Sequence, residues 1–332
     1  MGALFFEDPL PPLSATEGKV LIATVTLNPA IDKSLRVSGF APGKTNRAEV
    51  TRIDAGGKGV NVARAARRFG LPVCALGFAA GRNGRFILDV LAATGIPADF
   101  IDVPGETRVN LKIHDPVQGT ETEINEPGFQ ISPAHFEEMR RKLEEYAPRC
   151  ELVVFSGSLP PGAPSHAYGD LITITRKCGA ASLLDTGGEA LRHGLAAGAE
   201  LVKPNRAEVE ELLERPLRNS SDLAEAARHL LNLGAQQAVI SLGVEGALGA
   251  NREGILWARP PRVELHSSIG AGDTMVAALA YGFVRHLPFR DSFRLAVAAS
   301  AATVARDGTK VADFAAAQEL LPQVKIDAGI AA

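Results

Sequence analysis

The sequence predicts an α/β fold, in which one large domain is built on a mostly parallel central sheet and carries a small lid of β-strands. After residue 150, short apolar runs alternate with helical patterns of about 10–15 residues, and this alternation is typical of βαβ units in a parallel sheet. Two earlier segments, about 33–54 and 106–125, consist of short alternating pieces separated by Gly and Pro, which indicates exposed antiparallel strands. We expect these two segments to form the lid.

The remaining elements follow from the period of the apolar residues along the chain. The run at 20–27 is apolar and rich in β-branched residues, and it predicts a buried strand. Further strands are predicted over 73–78, 151–155, 181–185, 200–202, 237–242, 246–250 and 254–258. Helical periodicity predicts helices over 58–69, 84–94, 133–147, 164–177, 188–196, 205–214, 221–233, 272–286, 289–306 and 314–322. Ligands bind at the carboxyl ends of the strands in such sheets, so we searched the loops that follow the strands.

The composition excludes several classes of protein. The 332 residues are 46% hydrophobic and 22% charged, which is typical of a globular protein. A formal net charge of −3 argues against a nucleic-acid-binding domain, which should be clearly basic, and against disorder. The longest apolar stretch, 275–284, is too short to span a membrane. The first residues lack a signal-peptide pattern, and Cys74, Cys150 and Cys178 are far apart, so we expect a cytoplasmic protein with reduced thiols.

The strongest functional motif is the run Gly270-Ala271-Gly272-Asp273, directly before a long apolar helical pattern. Two glycines let the backbone approach a ligand closely, and a helix start offers free N–H groups and a positive dipole end to an anion. An Asp in the first helical turn can accept a proton from an attacking hydroxyl. Asp273 could also serve only as a helix cap, but a cap does not require two glycines around an alanine. The motif therefore indicates an anion site with a general base.

Three weaker motifs lie at other junctions between elements. The glycine cluster GGKGVN at 56–61 opens a helix and suits backbone contact with a polyhydroxy ligand. The run LVKPNRAE at 201–208 joins a strand to a helix, with Asn205 as N-cap and Glu208 three residues later, which alone is an ordinary capping box. The run SLGVEG at 241–246 alone is a hairpin turn.

Together these motifs resemble those of the PfkB, or ribokinase-like, family of carbohydrate kinases. The matching runs stand in unbroken order within about residues 20–322 and are TLNPAID (26–32), GGKGVNVAR (56–64), TRVN (107–110), SGSLPPG (156–162), KPN (203–205) with Glu208, SLGVEG (241–246) and GAGD (270–273). The resemblance implies a three-layer α/β/α sandwich, Mg²⁺ with ATP as phosphoryl donor, a phosphosugar as acceptor, and a homodimer formed through the β lid. It also implies one kinase domain over 19–332, preceded by a flexible tail, 1–18.

The resemblance also implies roles for individual residues. Asp273 is expected to be the base that activates the acceptor hydroxyl, and Gly270, Ala271 and Gly272 to form the anion hole for the transferring phosphoryl group. The residues expected to hold the substrate are Asp32, Lys44, Gly56, Gly57, Lys58, Asn61, Arg108, Ser156 and Ser158. The residues expected to bind ATP are Lys203, Asn205, Ser241, Gly243 and Gly246. Glu208 is expected to hold Mg²⁺, directly or through water.

The expected substrate is a ketohexose phosphate. Lys44 and Arg108 match positions at which phosphofructokinase-like members place cations near the substrate's phosphate, although Lys44 could also be a solvated lid charge. The runs DTGGEAL (185–191) and GTK (308–310) resemble the minor 6-phosphofructokinase. The lysine of the glycine cluster departs from that enzyme, and TEINEPG (122–128) is nearer to 1-phosphofructokinase and tagatose-6-phosphate kinase. We expect fructose 6-phosphate, with fructose 1-phosphate and tagatose 6-phosphate as the alternatives.

Two other classes of function are weighed against a kinase. An NAD-dependent dehydrogenase would also be an α/β protein, but Val62 stands where the dinucleotide fingerprint needs Gly or Ala. A Walker phosphate loop is excluded in the same way, because Ser38 stands where its first Gly is needed. A sugar-phosphate sensor without activity would keep the pocket and lose the base, whereas Asp273 is present. A comparison of ATP binding with NAD binding would distinguish a kinase from a dehydrogenase.

Overall fold

The described residues form two sheets, a ten-stranded central sheet and a separate four-stranded sheet. The computed structural model describes residues 21–265, 267, 269–306 and 311–329. The expected flexible tail at 1–18 and the run at 308–310 lie outside the described residues.

The central sheet is parallel over most of its width. The strands of the chain are β1 (Leu21–Thr26), β2 (Ala30–Arg36), β3 (Glu49–Gly56), β4 (Val73–Ala79), β5 (Ala98–Asp102), β6 (Arg108–Asp115), β7 (Thr120–Asn125), β8 (Cys150–Ser156), β9 (Ala181–Asp185), β10 (Leu201–Val202), β11 (Gln237–Ser241), β12 (Ala247–Asn251), β13 (Gly254–Arg259) and β14 (Lys325–Ala328). The order in the central sheet is β14-β13-β12-β11-β10-β9-β8-β1-β4-β5. Neighbouring strands are parallel from β5 to β11 and antiparallel from β11 to β14. The expectation of a mostly parallel sheet is confirmed.

Helices cover both faces of this sheet. They are α1 (Lys58–Arg68), α2 (Gly81–Ala93), α3 (Pro133–Tyr146), α4 (Ala167–Lys177), α5 (Gly188–Ala196), α6 (Arg206–Leu213), α7 (Ser220–Asn232), α8 (Ala271–Val284), α9 (Phe289–Val304) and α10 (Phe314–Leu320). One core contains residues of α1, α2, α8, α9 and α10, and the other contains residues of α3 to α7. The molecule is therefore a three-layer α/β/α sandwich. Among the described residues, no helix combines the length and the apolar character that a membrane crossing requires.

The strand β1 shows why the central strands are continuous apolar runs in the sequence. Ile22 belongs to one core, whereas Ala23 and Val25 belong to the other, and all three are fully buried. Successive side chains of a strand point to opposite faces, so a strand with helices on both sides buries both of its faces. The charged residue of β9, Asp185, stands at the carboxyl end of the strand.

The four-stranded sheet, which we call the lid sheet, contains β2, β3, β6 and β7 in the order β3-β2-β6-β7. β2 is antiparallel to β3 and parallel to β6, and β6 is antiparallel to β7. The two excursions expected at 33–54 and 106–125 thus pair with each other, and the first strand begins earlier, at Ala30. The register gives the sheet one face with Asp32 and Asn110 and an opposite face with Leu111 and Ile124.

Two strands of the central sheet carry no sequence pattern strong enough to predict them. β5 includes Asp99 and Asp102, and β14 includes Lys325 and Asp327. Both strands lie at an edge of the sheet, where one side has no neighbouring strand. Edge strands tolerate charged side chains, and these charges interrupt the apolar run from which a central strand is predicted.

Helix α2 begins at Gly81, three residues before the predicted start at 84. The carboxylate of Glu106 accepts hydrogen bonds from the backbone N–H groups of Arg82 and Asn83. This cap stabilises the first turn with a negative charge at the helix N-terminus. Because the cap comes from a residue more than twenty positions later, the local sequence could not indicate it.

Candidate active site

The strongest motifs meet at the carboxyl ends of the central strands. Asp273 lies in the first turn of α8, and Asn61 lies in the first turns of α1. The side-chain amide Nδ2 of Asn61 donates a hydrogen bond of 2.9 Å to Oδ2 of Asp273. Both residues are buried, at 9% and 8% exposure. The structure therefore joins the glycine cluster to the GAGD motif through a direct contact.

Burial changes the acidity of Asp273. Burial is the largest cause and the nearby charge of Asp185 the second, and the net effect is to raise the pKa of this carboxyl from 3.8 to about 6. The charge of Lys58, the hydrogen bond from Asn61 and the charge of Lys203 act in the opposite direction. A carboxylate with a pKa close to the working pH is ionised at pH 7 and basic enough to accept a proton during the reaction. These are the properties of a general base.

The start of α8 is arranged for an anion. Gly270 precedes the helix with a φ of 75°, in the left-handed region that favours glycine, and among the described residues no side chain caps this helix. A Cβ atom at Gly272 would lie 3.9 Å from Nζ of Lys203, so an ammonium group lies beside the first turn. With Ala271, these glycines leave the first N–H groups of the helix available to a phosphoryl group.

Asp185 lies at the centre of a buried charge cluster. Its Oδ1 lies 3.1 Å from Nζ of Lys203 and 3.4 Å from Nζ of Lys58. The hydroxyl of Ser156 donates to its Oδ2 at 3.2 Å. Burial alone would raise the pKa of Asp185, but the charges of Lys203 and Lys58 outweigh it and hold the pKa below its usual value. Ser156, which was expected to bind substrate, is fully buried, and its hydroxyl contacts this carboxylate.

The second acidic residue of the cluster is Glu208. Its backbone N–H donates to the side chain of Asn205, and its Oε2 accepts from the backbone N–H of Asn205, which forms the predicted capping box. Its other oxygen, Oε1, lies 3.1 Å from Nζ of Lys58. Lys58 therefore lies between Asp185 and Glu208. It was expected among the residues that hold the sugar.

The motifs that were expected to bind ATP are adjacent to this cluster. Asn205 forms an isolated parallel bridge with Ser241, which brings the end of β11 next to the start of α6. Gly243 and Gly246 bound the turn that follows, with φ values of 60° and 103°. Val244 in the same turn is 83% exposed, so an apolar surface is available beside the cluster.

Asp32 marks a second part of the site, on the lid sheet. Its Oδ1 accepts a hydrogen bond of 3.2 Å from Nδ2 of Asn110. A Cβ at Gly56 would lie only 2.7 Å from Oδ2 of Asp32, so this close approach requires glycine. Gly57 caps α1 with a φ of 97°, and a Cβ there would lie 2.9 Å from Cα of Pro29. Both glycines are needed to bring α1 against the lid sheet.

Arg108 is held at the edge of the same sheet. Its guanidinium donates to the backbone oxygens of Asn28 and Glu126 at 3.1 Å and to the hydroxyl of Ser158 at 3.3 Å. The side-chain amide of Asn28 reaches the same hydroxyl at 3.4 Å. Arg108 and Ser158, both expected to hold the substrate, are thus in contact.

Several polar atoms around these residues are buried without a hydrogen-bond partner among the described residues. They are Nε of Arg108, Oδ1 of Asn110 and Oδ1 of Asn28. An unpaired buried polar atom costs free energy, so three of them in one region indicate a polar ligand.

Lys44 lies apart from the other expected residues. It belongs to the loop between β2 and β3 and lines a cavity of about 460 Å³ together with Arg36 and Arg47. No hydrogen bond or ion pair between described residues connects it to Arg108 or Asp32. The structure of one chain does not bring the two expected phosphate-binding cations together.

Three residues outside the expected set belong to the site by their contacts. Asn28 and Asn110 lie inside the runs TLNPAID and TRVN, so the motifs contained them although no role was assigned. Asp185 ends strand β9 inside the run DTGGEAL, which served only to compare branches of the family. An Asp at the carboxyl end of a buried parallel strand is the signal that could have identified it.

Comparison with known proteins agrees with this geometry. Residues 24–314 match the family described as pfkB family carbohydrate kinase. The chain belongs to the pfkB family. The resemblance drawn from the motifs is therefore confirmed, and the protein is a phosphotransferase that acts on an alcohol group of a sugar.

Individual members of the pfkB family are similar over nearly the whole chain. A 1-phosphofructokinase of Rhodobacter capsulatus is 40% identical over 280 residues, which are 84% of this chain and 89% of that protein. A 1-phosphofructokinase of Escherichia coli K12 is 37% identical over 296 residues, 88% of this chain and 93% of that protein. The crystal structure of E. coli phosphofructokinase-2 in complex with potassium superposes with a TM-score of 0.85 at 32% identity, covering 92% of this chain and 99% of that one.

Proposed function

We propose that this pfkB family kinase is a 1-phosphofructokinase, which transfers the terminal phosphoryl group of ATP to fructose 1-phosphate and produces fructose 1,6-bisphosphate. The observation that supports phosphoryl transfer is the contact of Asp273 with Asn61 at the uncapped start of α8. The choice of fructose 1-phosphate rests on the relatives named 1-phosphofructokinase. These relatives favour the alternative substrate over fructose 6-phosphate, which the sequence led us to expect first.

In the proposed reaction, Asp273 accepts the proton of the acceptor hydroxyl while that oxygen attacks the terminal phosphorus of ATP. The bond between this phosphorus and the bridging oxygen breaks, and ADP leaves with the electron pair. The backbone N–H groups at the start of α8 and the ammonium of Lys203 would face the negative charge of the transferring group. Phosphoryl transfer needs mainly positioning and charge stabilisation, and these residues supply both.

The substrate would lie between the start of α8 and the lid sheet. Asp32 accepts hydrogen bonds from sugar hydroxyls, and Arg108 faces the phosphate that the substrate already carries. The unpaired buried atoms of Arg108, Asn110 and Asn28 support a polar ligand in this region. Lys44 would contribute from the loop between β2 and β3 only after that loop has moved or from a second copy of the chain.

We propose that Mg²⁺ accompanies ATP. Protein sites for Mg²⁺ in such enzymes use one or two carboxylates, with substrate phosphates and water as the other ligands. Glu208 fits this role, because its Oε1 already faces a cation, the ammonium of Lys58. In the part of the chain that the structure describes, no group of three or more His, Cys, Asp or Glu could hold a metal alone. Glu208, directly or through water, would hold the ion, which supplies charge neutralisation at the phosphates.

We propose a homodimer that forms through the apolar face of the lid sheet, in the cytoplasm, where ATP and sugar phosphates are available. Val50, Ile53 and Ile124 are large hydrophobic residues with 50%, 51% and 49% exposure. The register puts them on the face opposite Asp32. A second copy of the chain would cover this surface. Light scattering tests this by comparing the molecular mass in solution of Ile53→Asp with that of the unchanged protein.

The decisive experiment for the proposed function measures ADP release with three acceptors. The unchanged protein is supplied with Mg-ATP and with fructose 1-phosphate, fructose 6-phosphate or tagatose 6-phosphate. The proposal expects the highest kcat/KM for fructose 1-phosphate. A higher value for fructose 6-phosphate would restore the expectation from the sequence, and no ADP release with any of the three would exclude a ketohexose-phosphate kinase.

A further inference from the structure

Lys112 is a partly buried cation of the lid sheet that has no role in the reaction described above. It follows Asn110 by two residues and Arg108 by four on β6, so the three side chains share one face of the strand. Its Nζ lies 3.7 Å from Oδ2 of Asp32. The Lys112 side chain is 19% exposed and that of Asp32 is 8% exposed, so this pair is shielded from water.

The partner of Lys112 is not the one that the strand register offers. Directly opposite Lys112 stand Ser34 on β2 and Glu123 on β7. Residues in opposite positions of neighbouring strands are the usual partners, and a Lys–Glu pair with Glu123 would be favourable at the surface. Among the described residues, the ion pair of Lys112 is instead with Asp32, whose register partner on β6 is Asn110.

The Asp32 carboxylate is therefore held from several sides. Asn110 donates to Oδ1 at 3.2 Å, Lys112 faces Oδ2, and the Cα of Gly56 packs closely against the carboxylate. A cavity of about 210 Å³ lies between the lid sheet and the residue that precedes the GAGD motif, and Lys112 and Ile269 both line it. Lys112 thus stands between the carboxylate and an open space next to the transfer site.

We propose that Lys112 is a positioning residue for the sugar phosphate: together with Asn110, it fixes the Asp32 carboxylate in the orientation that accepts hydrogen bonds from the hydroxyls of the ketohexose. This inference rests on the proposed function, in which Asp32 holds the sugar. Without Lys112, the carboxylate would keep the hydrogen bond from Asn110 but lose its cation, and the substrate would then meet a less ordered acceptor.

A double-mutant cycle tests this role. KM for the sugar phosphate, KM for ATP and kcat are measured for Lys112→Met, Asp32→Asn and the double variant. The cycle uses whichever of the three ketohexose phosphates the unchanged protein converts, so a wrong choice of fructose 1-phosphate leaves this test intact. Lys112→Met should raise KM for the sugar phosphate about tenfold and leave KM for ATP and kcat within about twofold. Lys112→Arg should restore most of the loss.

The coupling between the two residues decides the outcome. If Lys112 acts through Asp32, Lys112→Met has no further effect on KM once Asp32→Asn is present. Additive effects, or an unchanged KM in Lys112→Met, overturn the proposal. If no sugar phosphate is converted, the proposed function fails. The same four proteins are then compared by calorimetric binding of fructose 1-phosphate. Absence of binding to the unchanged protein overturns the role of Lys112 as well.

Lys142→Met is the matched control. Lys142 also pairs with an aspartate, Asp99, and its side chain is 17% exposed, close to the value for Lys112. It lies on α3, away from the lid sheet. Removal of this lysine also breaks a Lys–Asp pair but should leave KM for the sugar phosphate unchanged. An equal rise of KM in the control would show that Lys112 acts only through stability.

Discussion

The amide of Asn61 and the carboxylate of Asp273 form a hydrogen bond of 2.9 Å, although 212 positions separate them in the chain. The bond uses Oδ2 of Asp273, and among the described residues Oδ1 has no hydrogen-bond partner. One oxygen of the carboxylate is therefore oriented by α1, and the other is available to an acceptor hydroxyl. This division lets a buried carboxylate act as a base without losing its orientation.

The first prediction concerns the base itself. Asp273→Asn should keep the fold and ATP binding but lower kcat by about 10²–10⁴-fold, because a positioned base contributes that much. Steady-state kinetics with fructose 1-phosphate measure kcat, and calorimetry measures ATP binding. A kcat within a few-fold of the unchanged protein would remove Asp273 from the role of base.

The second prediction concerns the pH dependence of the rate. Because the pKa of Asp273 is about 6 and the base must be ionised, kcat/KM should fall as the pH drops through about 6. The hydrogen bond from Asn61 stabilises the ionised form and lowers this pKa. In Asn61→Ala, the fall of kcat/KM on the acid side of the pH profile, which we call the acid limb, should therefore occur at higher pH. Asn232→Ala, at the exposed end of α7, is the control and should leave the profile in place. A shift of the limb to lower pH in Asn61→Ala would contradict the assignment.

The third prediction concerns the metal. Glu208→Gln removes the charge that faces Lys58 and would face Mg²⁺, so it should raise the Mg²⁺ concentration needed for half-maximal rate. Glu211→Gln is the matched control, because Glu211 is exposed and lies three residues after Glu208 on the same helix. If both variants keep the original Mg²⁺ dependence, Glu208 serves only as the capping partner of Asn205.

The fourth prediction concerns the substrate's phosphate. Arg108→Ala should raise KM for the phosphosugar about 10–100-fold, since charge-assisted hydrogen bonds contribute about 1.5–3 kcal/mol. KM for ATP should change little, because the nucleotide motifs follow other strands. The variant should also lose its preference for the phosphosugar over unphosphorylated fructose. Equal losses with both sugars would show that Arg108, which binds the backbone of Asn28 and Glu126, only supports the lid sheet.

The sequence by itself determined the parts of the site that depend on local structure. The start of α8 at the GAGD run, the capping box of Asn205 and Glu208, and the glycines before α1 are all visible as short patterns. Strand and helix positions follow from apolar periodicity, because it records which face of each element is buried. The strand β5 and the start of α2 were missed because of charged residues and a distant cap, and α4 begins at Ala167 rather than at the predicted residue 164.

Only the tertiary structure decided which charges meet. Asp185 contacts Lys203 because β9 and β10 are neighbours in the central sheet, and it contacts Lys58 because the start of α1, which follows β3 of the lid sheet, packs beside the end of β9. The contacts of Lys58 with two carboxylates depend on this packing, and Lys44 lies in the loop between β2 and β3. Charge pairs at the edge of a sheet leave no periodic pattern in the sequence. The number of residues between the two partners depends on strand order and register, not on the local conformation of the chain.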